Sequence, residues 1–278
     1  MPELPEVETV RRGLHTHAVG RRITAAQQLH PRGLNQKSVG PLDLVVGAKI
    51  VDTKRRGKFL WLVLDRPFVL AAHLGMSGQF LIDPEDHRHT RALFHLKKGL
   101  KSTSLHFNDQ RTFGWVSVEE TIDGVPTSVT KIAPDLFADE VDLPKVVANI
   151  RRRNVTIKTA ILNQNIVSGI GNIYADESLW LAKVHPERIA SEMRAADIQR
   201  VLDSAKEVMS NALAVGGTSF DELYINVNGE SGYFDLSLNA YGQEGEPCPR
   251  CGTAIRRIKF ANRSSHYCPK CQKCQKGS

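Results

Sequence analysis

The chain lacks any long hydrophobic stretch, which excludes a membrane-spanning helix. Its longest uninterrupted apolar run is the six residues Phe59–Leu64, whereas a transmembrane helix needs roughly 20. The first ten residues contain three acids and no basic residue, so the sequence also predicts no secretory signal peptide. We therefore expect a cytoplasmic protein that binds no membrane. Its 278 residues indicate about two domains.

Acidic residues are absent from the last 31 positions, which carry eight lysines and arginines. The rest of the chain is divided differently: residues 1–133 hold 19 basic and 13 acidic side chains, and residues 134–247 hold 10 and 17. A short basic segment without acids favours a polyanionic partner such as nucleic acid. A solvated basic tail is the alternative.

Cysteine is absent from the first 247 residues, and all five cysteines lie in this basic tail. Four of them form two Cys-x-x-Cys pairs, Cys248/Cys251 and Cys268/Cys271, with sixteen residues between the pairs. This spacing is typical of a structural zinc site. Four thiolates complete a tetrahedral shell and leave no position for a reactive water, so the metal would stabilise the fold. Disulfides are the alternative, and a cytosolic location disfavours them.

The fifth cysteine, Cys274, repeats the same spacing after Cys271. It is either a competing ligand or a dispensable surface thiol. A segment this short cannot build a hydrophobic core, so metal binding would supply its folding energy. The folded segment would then present the four basic residues that lie between the two pairs: Arg256, Arg257, Lys259 and Arg263.

The first half of the chain reads as one helix followed by short strands. A helix is predicted from Pro5 to about His17, because proline suits a first turn and Val7, Val10 and Leu14 share one face. Seven strand-like stretches follow at spacings typical of a β-sandwich or barrel: Leu44–Val51, Phe59–Leu64, Phe68–His73, Gln79–Ile82, Ala92–Leu96, Ser104–Phe107 and Trp115–Val118.

The second half reads as helical. An acidic stretch at residues 134–142 predicts a connector, and helices are predicted between Leu143 and Trp180, interrupted at Ser168–Asn172. That Gly-x-Gly turn could offer backbone N–H groups to a phosphate, although most such turns are only turns. Apolar residues from Ile198 to Ala212 follow helical spacing, and residues 226–246 read as a loop.

Several motifs, taken in order along the whole chain, carry a family resemblance. They are Pro2–Val7, Lys58, His73–Gly78, Asp109–Gly114, Gly169–Glu177, Tyr241–Cys248 and the two cysteine pairs. Together they closely resemble the bacterial formamidopyrimidine-DNA glycosylases, a family grouped with the endonuclease VIII-like glycosylases.

The resemblance implies an α+β multidomain fold. It implies an N-terminal β-sandwich with an N-terminal helix over residues 1–133, a linker over 134–142, a helix–two-turns–helix domain with a lesion-side loop over 143–243 and a zinc finger over 244–278. One structural Zn²⁺ held by the four paired cysteines is implied, with no organic cofactor. The implied partner is damaged double-stranded DNA, and the chain is expected to act as a monomer.

The implied activity is that of a bifunctional DNA glycosylase and abasic-site lyase for oxidised purines, such as 8-oxoguanine and formamidopyrimidines. Met1 would be removed, and Pro2 would be the nucleophile. An α-amine has a pKa of about 7.7–8.0 against about 10.4 for lysine, so its neutral fraction at pH 7 is larger by roughly a few hundred-fold. Attack on the sugar C1′ would give an iminium, which permits β- and then δ-elimination.

Four further catalytic roles are carried over by the resemblance. Glu3 would be the general acid during base loss, and Glu6, one helical turn on, would assist it. Lys58 would reach a phosphate beside the lesion and protonate a leaving oxygen, although composition alone makes it part of a surface basic cluster. Arg263 would hold a phosphate during δ-elimination.

The resemblance also implies DNA contacts. A base inside a duplex must be extruded before its sugar is attacked, and Met76, Arg111 and Phe113 match three residues that fill the gap. Composition alone would instead place Met76 and Phe113 in a core. Backbone contacts are implied for three more positions: His87 (or His89), Arg153 and Asn172.

The sequence departs from the family pattern at two positions, with Gln110 in place of a usual proline and Thr112 in place of a usual arginine. Two other functions remain open. An endonuclease VIII-like glycosylase for oxidised pyrimidines is disfavoured by Leu4, where that branch usually has glycine. A zinc-finger DNA-binding protein without catalysis is disfavoured by the intact Pro2, Glu3 and Lys58.

Overall fold

The computed structural model describes residues 2–85, 88–215 and 238–274. These residues divide into two compact units, one of residues 2–85, 88–131 and 215 and the other of residues 132–214 and 238–274. The first is rich in strands, and the second contains helices and the cysteine-rich tail. The predicted α+β class is therefore confirmed, while the exact domain limits given above stay a prediction. Among the described residues, no helix is long and apolar enough to span a bilayer.

Helix α1, Leu4–Ala18, begins the first unit and is stabilised by reciprocal capping. The Glu3 side chain accepts a hydrogen bond from the backbone N–H of Glu6, and the Glu6 carboxylate accepts one from the backbone N–H of Glu3 at 2.8 Å. This capping box satisfies two donors that a helix start leaves free. Val7 and Leu14 are fully buried, so the predicted apolar face is the one that packs on the strands.

Two antiparallel sheets make up the rest of the first unit. Their strands are β1 Arg22–Gln28, β2 Ile50–Arg56, β3 Phe59–Leu64, β4 Phe68–His73, β5 Gly78–Ile82, β6 Thr90–Lys98, β7 Lys101–Asp109, β8 Trp115–Ile122 and β9 Val125–Pro126. One sheet has the order β1-β6-β7-β5 and the other the order β2-β3-β4-β8-β9. Leu62 and Leu70 of the second sheet share one core with Phe94 and Phe107 of the first, which makes the unit a sandwich.

One sequence-based prediction about these strands is wrong, and strand β1 is missed. The predicted strand Leu44–Val51 is instead a short 3₁₀ turn, Leu42–Val45, followed by Gly47 at φ +84°; β2 starts only at Ile50. Strand β1 was not predicted at all. It lies at the edge of its sheet and buries only Ile23 fully, so it has no apolar alternation that the sequence could reveal.

The second unit contains four α-helices and one β-hairpin in its described part. They are α2 Leu143–Arg151, α3 Ile157–Ile161, α4 Asn172–Leu181, α5 Ala195–Ala214, and the antiparallel pair β10 Arg256–Phe260 and β11 Arg263–Tyr267. The predicted helix Ile198–Ala212 lies within α5. The predicted connector at residues 134–142 packs onto this unit, since Asp135 and Leu136 are buried.

Helix α4 is buried along most of its length and carries polar residues that bind the cysteine-rich tail. Both oxygens of Glu177 accept hydrogen bonds from the chain just before the first cysteine pair, including the backbone N–H groups of Ala240 and Tyr241 at 2.8 Å. One turn on, the Trp180 indole N–H donates to the Cys248 sulfur at 3.3 Å. These contacts fix the tail along the helix.

A buried ion pair lies at the centre of the second unit. Lys158 of α3 and Asp176 of α4 are fully buried, and the Lys158 Nζ lies 2.6 Å from the Asp176 Oδ1. Asp176 also accepts the Ser265 hydroxyl at 2.8 Å and the backbone N–H of His266 at 2.9 Å. Lys158 donates in addition to the Ser264 carbonyl at 3.1 Å. The pair therefore joins α3, α4 and β11.

We predict that Lys158→Met destabilises the protein by about 3–5 kcal/mol, because it leaves the Asp176 carboxylate buried without its counter-ion. Lys145→Met, at an exposed position of α2, is the matched control and should change the free energy of unfolding by less than about 0.5 kcal/mol. Urea unfolding of the zinc-loaded chain measures both. Equal stability of the two variants would contradict a structural role for the pair.

Candidate functional site

The implied nucleophile and general acid lie at the buried start of α1. Pro2 is buried, Glu3 is 2 % exposed, and Glu6 is 5 % exposed. Because Glu6 binds the backbone N–H of Glu3, it holds the turn that carries both residues. Met1 lies outside the described residues.

Lys58 lies in the tight two-residue turn between β2 and β3. Arg56 pairs with Phe59 across the turn, and Gly57 takes φ +56°, which the first central residue of such a hairpin turn requires. Lys58 is 7 % exposed. Composition alone indicates a solvated surface cluster, and the burial of Lys58 contradicts that interpretation.

A network of charged side chains joins the Lys58 turn to α1. The Arg55 guanidinium donates to Glu8 of α1 at 3.2 Å and to the Gly57 carbonyl at 3.0 Å. Arg11 makes a two-pronged contact with the same carboxylate, with both distances 2.9 Å. Burial acts to raise the pKa of Glu8, but the hydrogen bond and charge of Arg11 and the charge of Arg55 lower it to about 2. Glu8 is thus ionised and fixes the turn against the helix that starts with Pro2 and Glu3.

His73, at the end of β4, is held as a neutral imidazole beside Lys58. Burial, together with the nearby charge of Lys58, lowers the pKa of His73 to about 4. The backbone N–H of Gly75 donates to its Nδ1 at 3.1 Å, which requires that nitrogen to be unprotonated. The ring packs against Phe59 and Trp115, with centroid distances of 4.8 and 6.1 Å. His73 thereby links Lys58 to the loop that follows β4.

Two loops of the first unit are locked together by one buried carboxylate. Asp109 accepts the Ser77 hydroxyl at 2.5 Å and the backbone N–H of Gly114 at 2.6 Å. The Ser77 oxygen in turn accepts the backbone N–H of Arg111 at 3.1 Å. A β-carbon on Gly75, which has φ +60°, would lie 2.5 Å from the Gly114 nitrogen. Only glycine permits this close approach of the two backbones.

The locked loops present the implied wedge residues to solvent. Met76 is 39 % exposed and Phe113 is 62 % exposed, so the core-packing alternative for these two residues is wrong. Arg111 is also exposed. Between Arg111 and Phe113, Thr112 adopts φ +57°, a conformation that is strained for a β-branched residue.

In the second unit, Asn172 and Arg263 come together at one end of α4 and the hairpin. Asn172 is the first residue of α4, and its Nδ2 donates to the Ser264 carbonyl at 3.2 Å. Arg263 is exposed and begins β11. It lines a groove of about 670 Å³ with Arg257 and Lys259. A basic groove next to a helix N-terminus can bind phosphate groups.

The remaining implied DNA contacts are less well defined by the fold. Arg153 is exposed just after α2. His87 lies outside the described residues, and His89 is half-buried with its carbonyl accepting the Asp109 backbone N–H at 2.9 Å. Sequence reasoning missed the roles of Asp109, Lys158 and Asp176, although Asp109 and Asp176 lie in motifs that it had singled out.

The four paired cysteines form a cluster that fits a tetrahedral metal ion. Their sulfur atoms all lie within 4.8 Å of one another, and a zinc ion with four thiolates at about 2.3 Å requires sulfur separations of about 3.8 Å. Cys274 is exposed and does not belong to the cluster. Burial raises the pKa of Cys268 to about 12, so this thiol needs a bound cation to ionise at neutral pH.

Comparison with known proteins gives matches along nearly the whole chain. Family models match residues 1–116 (Formamidopyrimidine-DNA glycosylase N-terminal domain), 132–223 (Formamidopyrimidine-DNA glycosylase H2TH domain) and 245–273 (Zinc finger found in FPG and IleRS). The chain is 54 % identical to a formamidopyrimidine-DNA glycosylase of Mycobacterium avium, with 98 % of each chain covered. It is 51 % identical to one of Corynebacterium glutamicum, covering 98 % of this chain and 99 % of that one.

Solved structures of formamidopyrimidine-DNA glycosylases also match this chain. The MutM (Fpg) protein of Thermus thermophilus matches with a TM-score of 0.86 at 33 % identity, with 98 % of each chain covered. Lactococcus lactis Fpg in complex with DNA containing an abasic site matches with a TM-score of 0.85 at 32 % identity, covering 98 % of this chain and all of that one. The zinc-finger match and the cysteine cluster together assign one structural zinc to this chain.

We predict that Cys248→Ser and Cys268→Ser lose stoichiometric zinc, whereas Cys274→Ser retains it, because the four-sulfur shell is complete without Cys274. Metal content after gel filtration measures this, with the parent chain as reference. Zinc loss in Cys274→Ser would mean that the ligands are assigned wrongly.

Proposed function

The chain belongs to the formamidopyrimidine-DNA glycosylase family, and from this premise we propose that it excises oxidised purines from damaged double-stranded DNA and then cleaves the strand at the resulting abasic site. The expected lesions are 8-oxoguanine and formamidopyrimidines. We further propose that it works as a monomer in the cytoplasm.

One observation carries the mechanistic proposal: Pro2 and Glu3 are buried at the start of a helix that the Glu8–Arg55 network ties to the Lys58 turn. A nucleophile, an acid and a cation are thus carried by two rigidly joined elements. Catalytic groups need this kind of fixed geometry, because misplacement by about 1 Å can cost a hundredfold in rate.

The proposed reaction begins after removal of Met1. The Pro2 nitrogen attacks the sugar C1′, the C1′–base bond breaks, and the departing base takes up a proton from Glu3. The C1′–O4′ bond then breaks and the proton of the Pro2 nitrogen passes to O4′, which leaves an iminium between Pro2 and C1′. The iminium accepts the electrons released when a C2′ proton is lost, so the 3′ phosphate leaves by β-elimination and the 5′ phosphate follows by δ-elimination. Lys58 and Arg263 are proposed to hold these phosphates.

The exposed loop residues support extrusion of the damaged base. A base must leave the stack before C1′ can be attacked, and the space it leaves must be filled. Met76 supplies a flexible apolar side chain, Phe113 a flat ring and Arg111 a fork of donors for the unpaired opposite base. Because the Asp109 contacts fix both loops, these side chains are presented with little loss of backbone entropy.

We predict that borohydride, added during turnover, joins the protein covalently to the lesion strand through Pro2. Reduction of the iminium gives a stable amine, which denaturing gels detect and peptide mapping assigns to residue 2. A chain that retains an N-terminal extension is the matched control: its proline nitrogen is an amide, so it should bind DNA but neither cleave nor cross-link. A cross-link on Lys58 or another lysine would remove Pro2 from the mechanism.

We also predict that Glu3→Gln nearly abolishes release of 8-oxoguanine, yet keeps considerable cleavage at a preformed abasic site. Only base loss needs the acid, because the open-chain abasic aldehyde condenses with Pro2 directly. Single-turnover rates on an 8-oxoguanine duplex and on an abasic-site duplex measure the two activities separately. The control Glu120→Gln, at an exposed position of β8, should leave both rates unchanged. Equal loss of both activities in Glu3→Gln would show that Glu3 has another role.

A further inference from the structure

A strongly basic pocket lies in the second unit, at the end of α4 opposite to Asn172. Its volume is about 590 Å³, within the range of roughly 300–1,000 Å³ that is usual for small-ligand sites. Six cationic side chains line it: Lys183, Arg188, Arg194, Arg200, Lys270 and Lys273. The residues come from the end of α4, the start of α5 and the second cysteine pair.

The described lining residues do not neutralise this pocket. Asp197 is the one acid among the described lining residues, and six cations with one carboxylate leave a formal excess of five positive charges. His185 adds no charge at neutral pH, since burial lowers its pKa below the usual value. Gathering like charges in a concavity is unfavourable unless an anion compensates them.

Asp197 is buried and organises the arginines. Its carboxylate lies 2.9 Å from Arg200, 3.0 Å from Arg194 and 3.7 Å from Arg188. The hydrogen bond from Arg194, together with that from Arg200, lowers the pKa of Asp197 to about 2, so Asp197 stays ionised. The three guanidinium groups thus form an array around one carboxylate, in which the Arg194 and Arg200 side chains stay 79 % and 49 % exposed.

Lys183 occupies a backbone position that suits glycine better. It follows the end of α4 with φ +58°, and the backbone N–H of Val184 closes the turn on the Leu179 carbonyl at 2.9 Å. Glycine is the usual residue at this place, because a side chain disfavours a positive φ. This turn places Lys183 in the lining of the pocket.

The pocket is separate from the phosphate-binding end described above. At that end Asn172 contacts Ser264, whereas at the other end the Gln272 Nε2 donates to the Val184 carbonyl at 2.9 Å. Helix α4 and the tail therefore run side by side, and the ten residues of α4 correspond to about 15 Å. Phosphates held by Asn172 and Arg263 cannot also occupy this pocket.

We propose that the pocket binds a short oligophosphate, with two or three linked phosphoryl groups. Arginine forks and lysines recognise phosphoryl oxygens, and three linked groups match the charge excess. Val184 is the one aliphatic residue in the described lining, so the pocket offers little to an apolar peptide side chain. The ligand is either inorganic oligophosphate or the triphosphate portion of a nucleotide.

Titration calorimetry with inorganic tripolyphosphate tests the proposal. The zinc-loaded chain is first saturated with a duplex that carries an uncleavable abasic analogue, so the DNA site is filled. We expect binding of one tripolyphosphate per chain at about 0.15 M salt. ATP in a second titration distinguishes the source: equal affinity means that the phosphates alone are recognised, and tighter ATP binding means that a nucleotide is the ligand. No binding to the DNA-saturated chain would overturn the proposal.

Two variants assign the site. Lys270→Gln/Lys273→Gln removes two exposed cations and leaves the Asp197 array intact; Arg188→Gln alters the array itself. Each should weaken tripolyphosphate binding roughly tenfold or more, with zinc content and duplex affinity unchanged. Lys145→Gln/Lys206→Gln, two exposed lysines of the same unit outside the pocket, is the charge-matched control. Equal weakening by the control would mean that only net charge is sensed and would overturn the proposed site.

Discussion

Buried carboxylates that accept several hydrogen bonds are the constraint on which the rest of this structure depends. Asp176 and Glu177 occur side by side on α4, both almost completely buried. Desolvation of such a group costs several kcal/mol, and only partners in well-defined positions offset it. These partners come from the tail: Ser265 and His266 for Asp176, and Ala240 and Tyr241 for Glu177. The two acids thus determine where the cysteine-rich tail lies on the helix.

The same device recurs in the first unit. Asp109 joins the loop that carries Met76 to the loop that carries Phe113, and Glu8 joins α1 to the turn that carries Lys58. In both cases an acid that takes no part in the proposed chemistry positions residues that do. A carboxylate that accepts several hydrogen bonds is suited to this task. It tolerates only a narrow range of hydrogen-bond geometries, and its loss leaves buried donors unpaired.

The zinc site and α4 each stabilise a different part of the tail. The metal gathers the two cysteine pairs into a rigid end, which a segment of this length could not form by hydrophobic burial alone. The Trp180–Cys248 contact and the Gln272–Val184 hydrogen bond then dock this end on the helix and on the turn that follows it. The tail therefore presents two basic surfaces at opposite ends, the groove around Arg263 and the pocket around Lys270.

The sequence by itself determined the features that have a local signature. The cysteine spacing predicted the metal cluster, the apolar face of α1 predicted its packing, and the ordered motifs predicted the family. Six of the seven predicted strands are present because their apolar residues come in short runs bounded by turn residues. Edge strand β1 could not be predicted, since its residues are half-exposed and show no alternation.

Only the tertiary structure decided which polar residues are buried and which apolar ones are exposed. By composition alone Met76 and Phe113 read as core residues, yet they are exposed on loops that Asp109 fixes. By composition alone Lys58 reads as a surface residue, yet it is buried. The physical reason is that burial depends on partners distant in the chain. Lys158 and Asp176 are separated by 18 positions, and Asp176 and His266 by 90. No local pattern encodes such pairings, because a charged side chain is stable inside a protein only once the fold has brought its partners to it.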